Sequence, residues 1–370
     1  MRNISAPEIF VLVSELKEKV VGKRVKNFYE IQKDSFEMVL EGSEHTTIYI
    51  NLLRAICETK FREKQEKSNS ATNFALSIRK FVNGAMIVRF AQHNGDRIVE
   101  IEMSNGTKLM IEMFPEGNLI VTNENYVIQD AYRKEEFKDR KIIPNQIYKF
   151  PKNSALPFGE IDEEHVDAAM REVEKSSTKL IVALAKYFNF GPMYLENVIL
   201  HANLNPNAPA SEIKNDEHAL HALESGIEHF SGLLKSKEFV LYLKDGVPFD
   251  FSIMPIKKYA ELEYQHFDSL GSLLDNAYVE ERSKTIDKAK ERKINELKSS
   301  VEKQVLLQKE MHEKSLKYRE AGKKIFEHMH DVNLIIESMK KGKETVNESG
   351  KVKLKSIDKK NKTIKIEIED

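Results

Sequence analysis

The chain has 370 residues, with 58 Lys and Arg against 59 Asp and Glu and a net charge of −1, which excludes a globally basic nucleic-acid binder but not a local basic patch. Its 41% hydrophobic and 32% charged residues, with a mean hydropathy of −0.49, describe a soluble chain long enough for two or three domains. No apolar run approaches the roughly 20 residues of a membrane span, residues 1–10 lack a signal or transit pattern, and the single Cys57 excludes an internal disulfide or thiolate zinc site and points to a reducing, cytoplasmic compartment.

Residues 7–20 predict a helix. Pro7 and Glu8 suit its first turn, Phe10, Val13, Leu16 and Val20 recur at helical spacing, and Gly22 stops it. Short alternating segments at 24–31, 35–40 and 46–52 read as strands, with turns at Lys33-Asp34 and Glu41-Gly42. Residues 60–70 read as a loop and 73–81 as a helix with Phe74, Ile78 and Phe81 on one side. Four more strands are expected at 86–92, 97–103, 108–114 and 118–122, with hairpin turns at Asn105-Gly106 and Glu116-Gly117. Many short antiparallel strands with two helices predict an α+β fold built on a β-sandwich or barrel.

Pro151 and Pro157 mark a linker, after which helices are expected at 163–173, 178–187, 192–201 and 217–234, and strands at 238–243 and 249–255. From residue 272 a long helix begins. Ile286, Ile294, Leu297, Val301 and Val305 form a seam among Lys, Glu, Arg and Gln, as in a coiled coil. Gly322 is expected to interrupt it, with a second helix over 325–339. A terminal hairpin follows over 351–369. Val352 and Leu354 alternate on its first strand, Ile364, Ile366 and Ile368 on its second, and Ile357 falls out of step. The expected divisions are a sandwich at 1–155, a helical domain at 156–270, a coiled-coil arm with its following helix at 271–345, and the hairpin at 346–370.

The informative polar block is 92–97, Gln-His-Asn-Gly-Asp-Arg, between two strands. It reads either as a solvated hairpin turn or as a recognition loop for phosphate or bases, because Arg97 offers a fork of donors. His218 with His221 and His328 with His330 read as helix-surface histidines, and no metal site is assigned. Glycine-rich phosphate loops and a Gly-x-Ser-x-Gly elbow are absent from the sequence, and no cofactor is expected.

An ordered set of segments carries a resemblance. It comprises Ser5-Ala6-Pro7-Glu8, residues 73–80, residues 92–99 ending Asp-Arg-Ile-Val, Ile111-Glu112-Met113-Phe114, Gly117-Asn118-Leu119-Ile120, Tyr148-Lys149-Phe150-Pro151, residues 190–196 and residues 318–332. The chain resembles the N-terminal part of the NFACT family, which includes RqcH, NEMF and proteins once called FbpA. The resemblance implies a sandwich similar to formamidopyrimidine-DNA glycosylases, then a helix-two-turn-helix module and a coiled-coil arm. It also implies ribosome-associated quality control: binding of a large ribosomal subunit holding peptidyl-tRNA, and recruitment of tRNA, chiefly alanyl-tRNA in bacteria, for untemplated C-terminal tailing.

The positions matching the family's tRNA-linked residues are Glu8, Asp96 and Arg97. The family's usual residue at the first is Asp, and Glu8 keeps the charge on a longer arm. His93 and Asn94 of the same loop, Asn118, and the candidate phosphate contacts Arg54, Arg79 and Lys80 complete the expected tRNA-binding set. No catalytic residue is assigned. Glycosylases of this fold attack with the free amine of an N-terminal proline, whereas the nitrogen of Pro7 is an amide. The other readings are a DNA- or RNA-binding protein of this fold without a tailing role, and a fibronectin-binding adhesin, against which the lack of a secretion signal argues. The family continues into a second arm helix and an NFACT-R domain that this sequence does not contain, so the chain is expected to be a fragment whose exposed seam pairs with another molecule or frays.

Overall fold

The computed structural model describes residues 1–370 apart from 43–45, 61–71, 154, 155, 157, 234–237, 343–350, 359, 360 and 370; the side chains of 159, 215, 233 and 279–293 are also outside the description. The loop expected at 60–70 falls almost wholly among the undescribed residues. Two compact units emerge, Met1–Arg282 and Ser283–Asp370.

In the first unit, Ser5 in extended backbone precedes α1 (Ala6–Val20), whose apolar positions Ile9, Leu12, Leu16 and Val20 are all buried. Strands β1 (Val25–Gln32), β2 (Ser35–Leu40), β3 (Thr47–Asn51) and β4 (Ala55–Glu58) form an antiparallel sheet in sequential order. Helix α2 (Asn73–Val82) packs on β1, its N-terminus closed by Thr72, whose hydroxyl oxygen accepts from the Ala75 amide at 3.2 Å. Strands β5 (Ile87–Gln92), β6 (Ile98–Met103), β7 (Lys108–Glu112), β8 (Asn118–Thr122) and β9 (Ile128–Ala131) form a second antiparallel meander, with α1 against β5.

The period-two alternation assigns the faces. Leu109, Ile111, Leu119 and Val121 join Phe28, Phe36, Met38, Ile48 and Ile50 of the first sheet in one core. Their neighbours Met110 and Ile120 turn to the opposite face, where Ile128, Ile142 and Tyr148 cover them. The α+β class and the two antiparallel sheets around one core agree with the sequence reading. Strand β4 was not expected, because Ala55, Ile56 and Cys57 are buried consecutively and show no alternation. A two-residue ladder, β10 (Glu135–Glu136) with β11 (Lys141–Ile142), closes the outer face.

The chain continues through α3 (Glu163–Val173), α4 (Leu180–Leu184), α5 (Pro192–His201) and α6 (Glu217–Leu233), then β12 (Phe239–Lys244), β13 (Val247–Ser252) and β14 (Glu263–Phe267), arranged β13-β12-β14. Strand β14 was also unforeseen. It is exposed along most of its length and is held by pairing to β12 rather than by burial. Phe188, Phe190, Tyr194 and Phe230 from the helices belong to the same continuous core as the sheets.

Helix α7 (Leu270–Glu327) starts in this unit, where Leu270, Leu273, Leu274 and Tyr278 are buried. Its first two amides, Leu270 and Gly271, donate to the Glu15 carboxylate of α1 at 2.8 and 2.9 Å. One expectation about α7 is corrected. The helix runs through Gly322 and breaks at His328, because a lone glycine among helix formers costs only about 1 kcal/mol. Ile294, Leu297, Val301 and Val305 of the expected seam are about half exposed, with no partner helix packed on them among the described residues. The side chain of Ile286 is not described.

In the second unit α8 (Met329–Lys340) packs on the hairpin of β15 (Val352–Asp358) and β16 (Thr363–Ile368), burying Val332, Ile335 and Val352. A bulge between Leu354 and Ser356 resolves the misfit at Ile357: it shifts the register by one and sets Ile357 opposite Ile364.

Candidate functional site

Around the N-terminus of α1 the structure gathers Glu8, the 92–97 loop and the segment leading into α5. Glu8 is fully buried. Its carboxylate accepts from the Ser5 amide and hydroxyl, both at 2.7 Å, from both terminal nitrogens of Arg2, and from the Tyr194 hydroxyl at 2.5 Å. Arg2 carries the network on to β13, donating to the Phe251 carbonyl at 2.7 Å, lying 3.1 Å from the Asp250 carboxylate and stacking 4.6 Å over the Phe251 ring. Asp250 accepts in turn from the Tyr259 hydroxyl at 2.9 Å. Burial pulls the Arg2 guanidinium down, but Glu8, Tyr194 and Asp250 raise it above its ordinary value. Burial first, and then the negative charge of Glu8, push the Tyr194 hydroxyl well up, which keeps it a donor.

In the 92–97 loop, Asn94 and Gly95 take left-handed backbone, φ 43° and 61°. The turn closes through Asp96 N to His93 O at 2.8 Å and Arg97 N to Asp96 Oδ1 at 2.7 Å. The Gln92 side chain bridges Asp96 O at 2.7 Å and Ala6 O at 2.9 Å, fastening the loop to the start of α1. Asn189 donates to Gly95 O at 3.0 Å. His93 stacks on Phe150, ring centroids 3.5 Å apart; burial holds its imidazole below the usual range while Glu100 and Asp96 pull the other way. Arg97 is half-buried with its guanidinium 5.4 Å over the Phe114 ring. Burial lowers it and Asp96 partly offsets that, yet no carboxylate among the described residues pairs with it. A cleft of about 380 Å³ adjoins the loop, lined by Phe10, Ser14, Lys17, Gln92, Asn94 and Phe158 among others.

The expected set therefore divides. Asp96, Arg97, His93 and Asn94 share the loop, and Asn94 is exposed. Glu8 has no accessible surface, its carboxylate enclosed by Arg2, Ser5 and Tyr194. Asn118 is enclosed in the sheet, its side chain joining Leu119 N, Arg133 N and Arg133 O. Arg79 donates to Phe28 O at 2.7 Å and stacks 4.9 Å from Tyr29, while Lys80 beside it is exposed. Arg54 lies half-buried in the turn between β3 and β4. Sequence reasoning missed Arg2, Asn189, Tyr194 and Asp250. One signal was present: Ser5 and Glu8 have the Ser-x-x-Glu spacing that turns a glutamate back onto the helix start.

A family model described as NFACT N-terminal and middle domains matches residues 9–370. The archaeal Rqc2 homolog aRqcH of Methanocaldococcus jannaschii is 24% identical over 332 residues, 87% of this chain and 48% of that protein. The human ribosome quality control complex subunit NEMF is 22% identical over 312 residues, 76% of this chain and 28% of that protein. The chain thus spans about half, or less, of these curated relatives. The fold is similar to that of the crystal structure of the fibrinogen binding protein from Staphylococcus aureus, with a TM-score of 0.60 at 16% identity, covering 74% of this chain and 98% of that one.

Proposed function

The chain belongs to the NFACT family, and on that premise we propose that it works in ribosome quality control as a non-catalytic factor. It binds the obstructed large ribosomal subunit and recruits tRNA, alanyl-tRNA in the first instance, for untemplated tailing of the stalled chain. The observation that carries this reading is the alignment of 87% of the chain with an archaeal protein of the quality-control family. The chemistry of the loop supports it. Arg97 offers guanidinium donors without a carboxylate partner among the described residues and shares its loop with exposed Asn94, a combination suited to a phosphate and an unpaired base. Pro7 lies inside α1 with an amide nitrogen, so no glycosylase step is assigned to it.

Co-sedimentation tests the ribosomal half of the proposal. The chain should pellet with large subunits that hold peptidyl-tRNA and much less with vacant ones; equal recovery on both would contradict it. The half-exposed Ile294, Leu297, Val301 and Val305 seam is proposed to pair with another molecule. Sedimentation should then show concentration-dependent mass, and a concentration-independent monomer with full helicity would count against pairing.

A further inference from the structure

We infer that Asn189 and Tyr194 are positioning residues: through them the segment that opens α5 fixes the geometry in which the Asp96-Arg97 loop meets RNA. The inference rests on the RNA-binding reading of that loop, but its structural half stands apart from it.

The bonds internal to the loop close the turn, while the Met113 amide donating to Arg97 O at 2.8 Å and the His93 ring stacked on Phe150 join it to its own sheet domain. Two side chains fasten it to the helices. Asn189 donates to Gly95 O at 3.0 Å, and Gln92 ties Asp96 O to Ala6 O at the first residue of α1. The start of α1 is held in turn by Tyr194, whose hydroxyl donates to Glu8 Oε1 at 2.5 Å and accepts from Ile253 N at 3.1 Å. Both attachments therefore end on one short stretch, 189–194. That stretch approaches α1 closely. Gly191 has φ 81°, and a Cβ there would sit 3.2 Å from Ser5 Cβ. A displacement of this stretch moves Gly95 directly and the start of α1 through Glu8, so both of the loop's ties to the helices respond to it. Tyr194 has no accessible surface, so any effect of its hydroxyl on RNA binding is indirect.

At nearly constant volume, Asn189→Leu removes one polar link and Tyr194→Phe two, the bond to Glu8 and the bond from Ile253 N. Amide hydrogen exchange across 92–98 should rise in both, with the thermal midpoint moving little in Asn189→Leu and falling in Tyr194→Phe, which leaves the buried Ile253 amide without its acceptor. Affinity for an unmodified tRNA-Ala transcript should fall about three- to tenfold, the equivalent of one hydrogen bond. The slope of log Kd against log salt should stay at the wild-type value, because no phosphate contact is lost, whereas Arg97→Ala lowers that slope. Unchanged exchange at 92–98 in both variants overturns the inference, and so does a slope that falls as in Arg97→Ala, which would make these residues direct contacts. If the wild-type chain does not bind tRNA, the RNA reading of the loop fails, and the exchange data still decide whether 189–194 holds the loop.

Discussion

Arg2→Ala should destabilise the first unit by about 3–5 kcal/mol, the range for stripping one partner from a buried ion pair. The reason is what it leaves behind. Glu8 is fully buried and the Asp250 side chain only 8% exposed, so both carboxylates lose their cation without gaining water. Glu8 keeps the Ser5 and Tyr194 donors, which places the expected loss toward the lower end. The double variant Arg2→Met with Glu8→Gln removes both charges of the inner pair and should recover much of the loss, because well-packed neutral groups replace a buried ion pair at little cost. Urea unfolding followed by circular dichroism measures both. A loss below about 1 kcal/mol in Arg2→Ala would mean that the network is open to solvent.

Gly117→Ala is the second large effect. Gly117 has φ 57°, and a Cβ there would lie 2.5 Å from Leu52 Cβ and 2.9 Å from Leu52 O. The left-handed backbone alone costs an alanine about 1 kcal/mol. The overlap adds more, because it meets a backbone oxygen and a fully buried residue rather than a flexible tip. This contact joins the turn before β8 to the turn between β3 and β4, so relief means moving one sheet against the other. A total of about 3 kcal/mol or more is expected. Gly246→Ala is the control. It has φ 72° with nothing within 4 Å of the added Cβ and should cost only the backbone share, about 1 kcal/mol. Equal thermal midpoints for the two variants would show that the Leu52 contact yields easily.

How much of this was legible in the sequence depended on the range of the interaction. Strands β2 and β8 and helices α3 and α5 have the bounds that the sequence predicts, the helices from start signals and a period of 3.6, the strands, buried on both faces or nearly so, from the turn residues that flank them. Strands β4 and β14 hide for opposite reasons, one buried without alternation and the other exposed throughout most of its length. The break at His328 rather than Gly322 shows context overriding an intrinsic preference. In the site, the 92–97 block was visible as a polar turn between strands. Its anchors were not. Asn189 is 94 residues from Gly95, Tyr194 is 186 from Glu8 and Phe251 is 249 from Arg2, and separations of that size leave no mark on local periodicity. The Ser5 and Glu8 spacing did carry a local message, that the carboxylate folds back on its own helix.

The most direct measurement is the affinity of this chain for tRNA, for the wild type and for Asp96→Ala with Arg97→Ala, at two salt concentrations. If the loop is the RNA contact, the wild type binds and weakens as salt rises. The double variant then loses about 10- to 100-fold, the worth of charged hydrogen bonds from one guanidinium. Equal binding by the variant, or none by the wild type, would contradict the assignment of tRNA recognition to the Asp96-Arg97 loop.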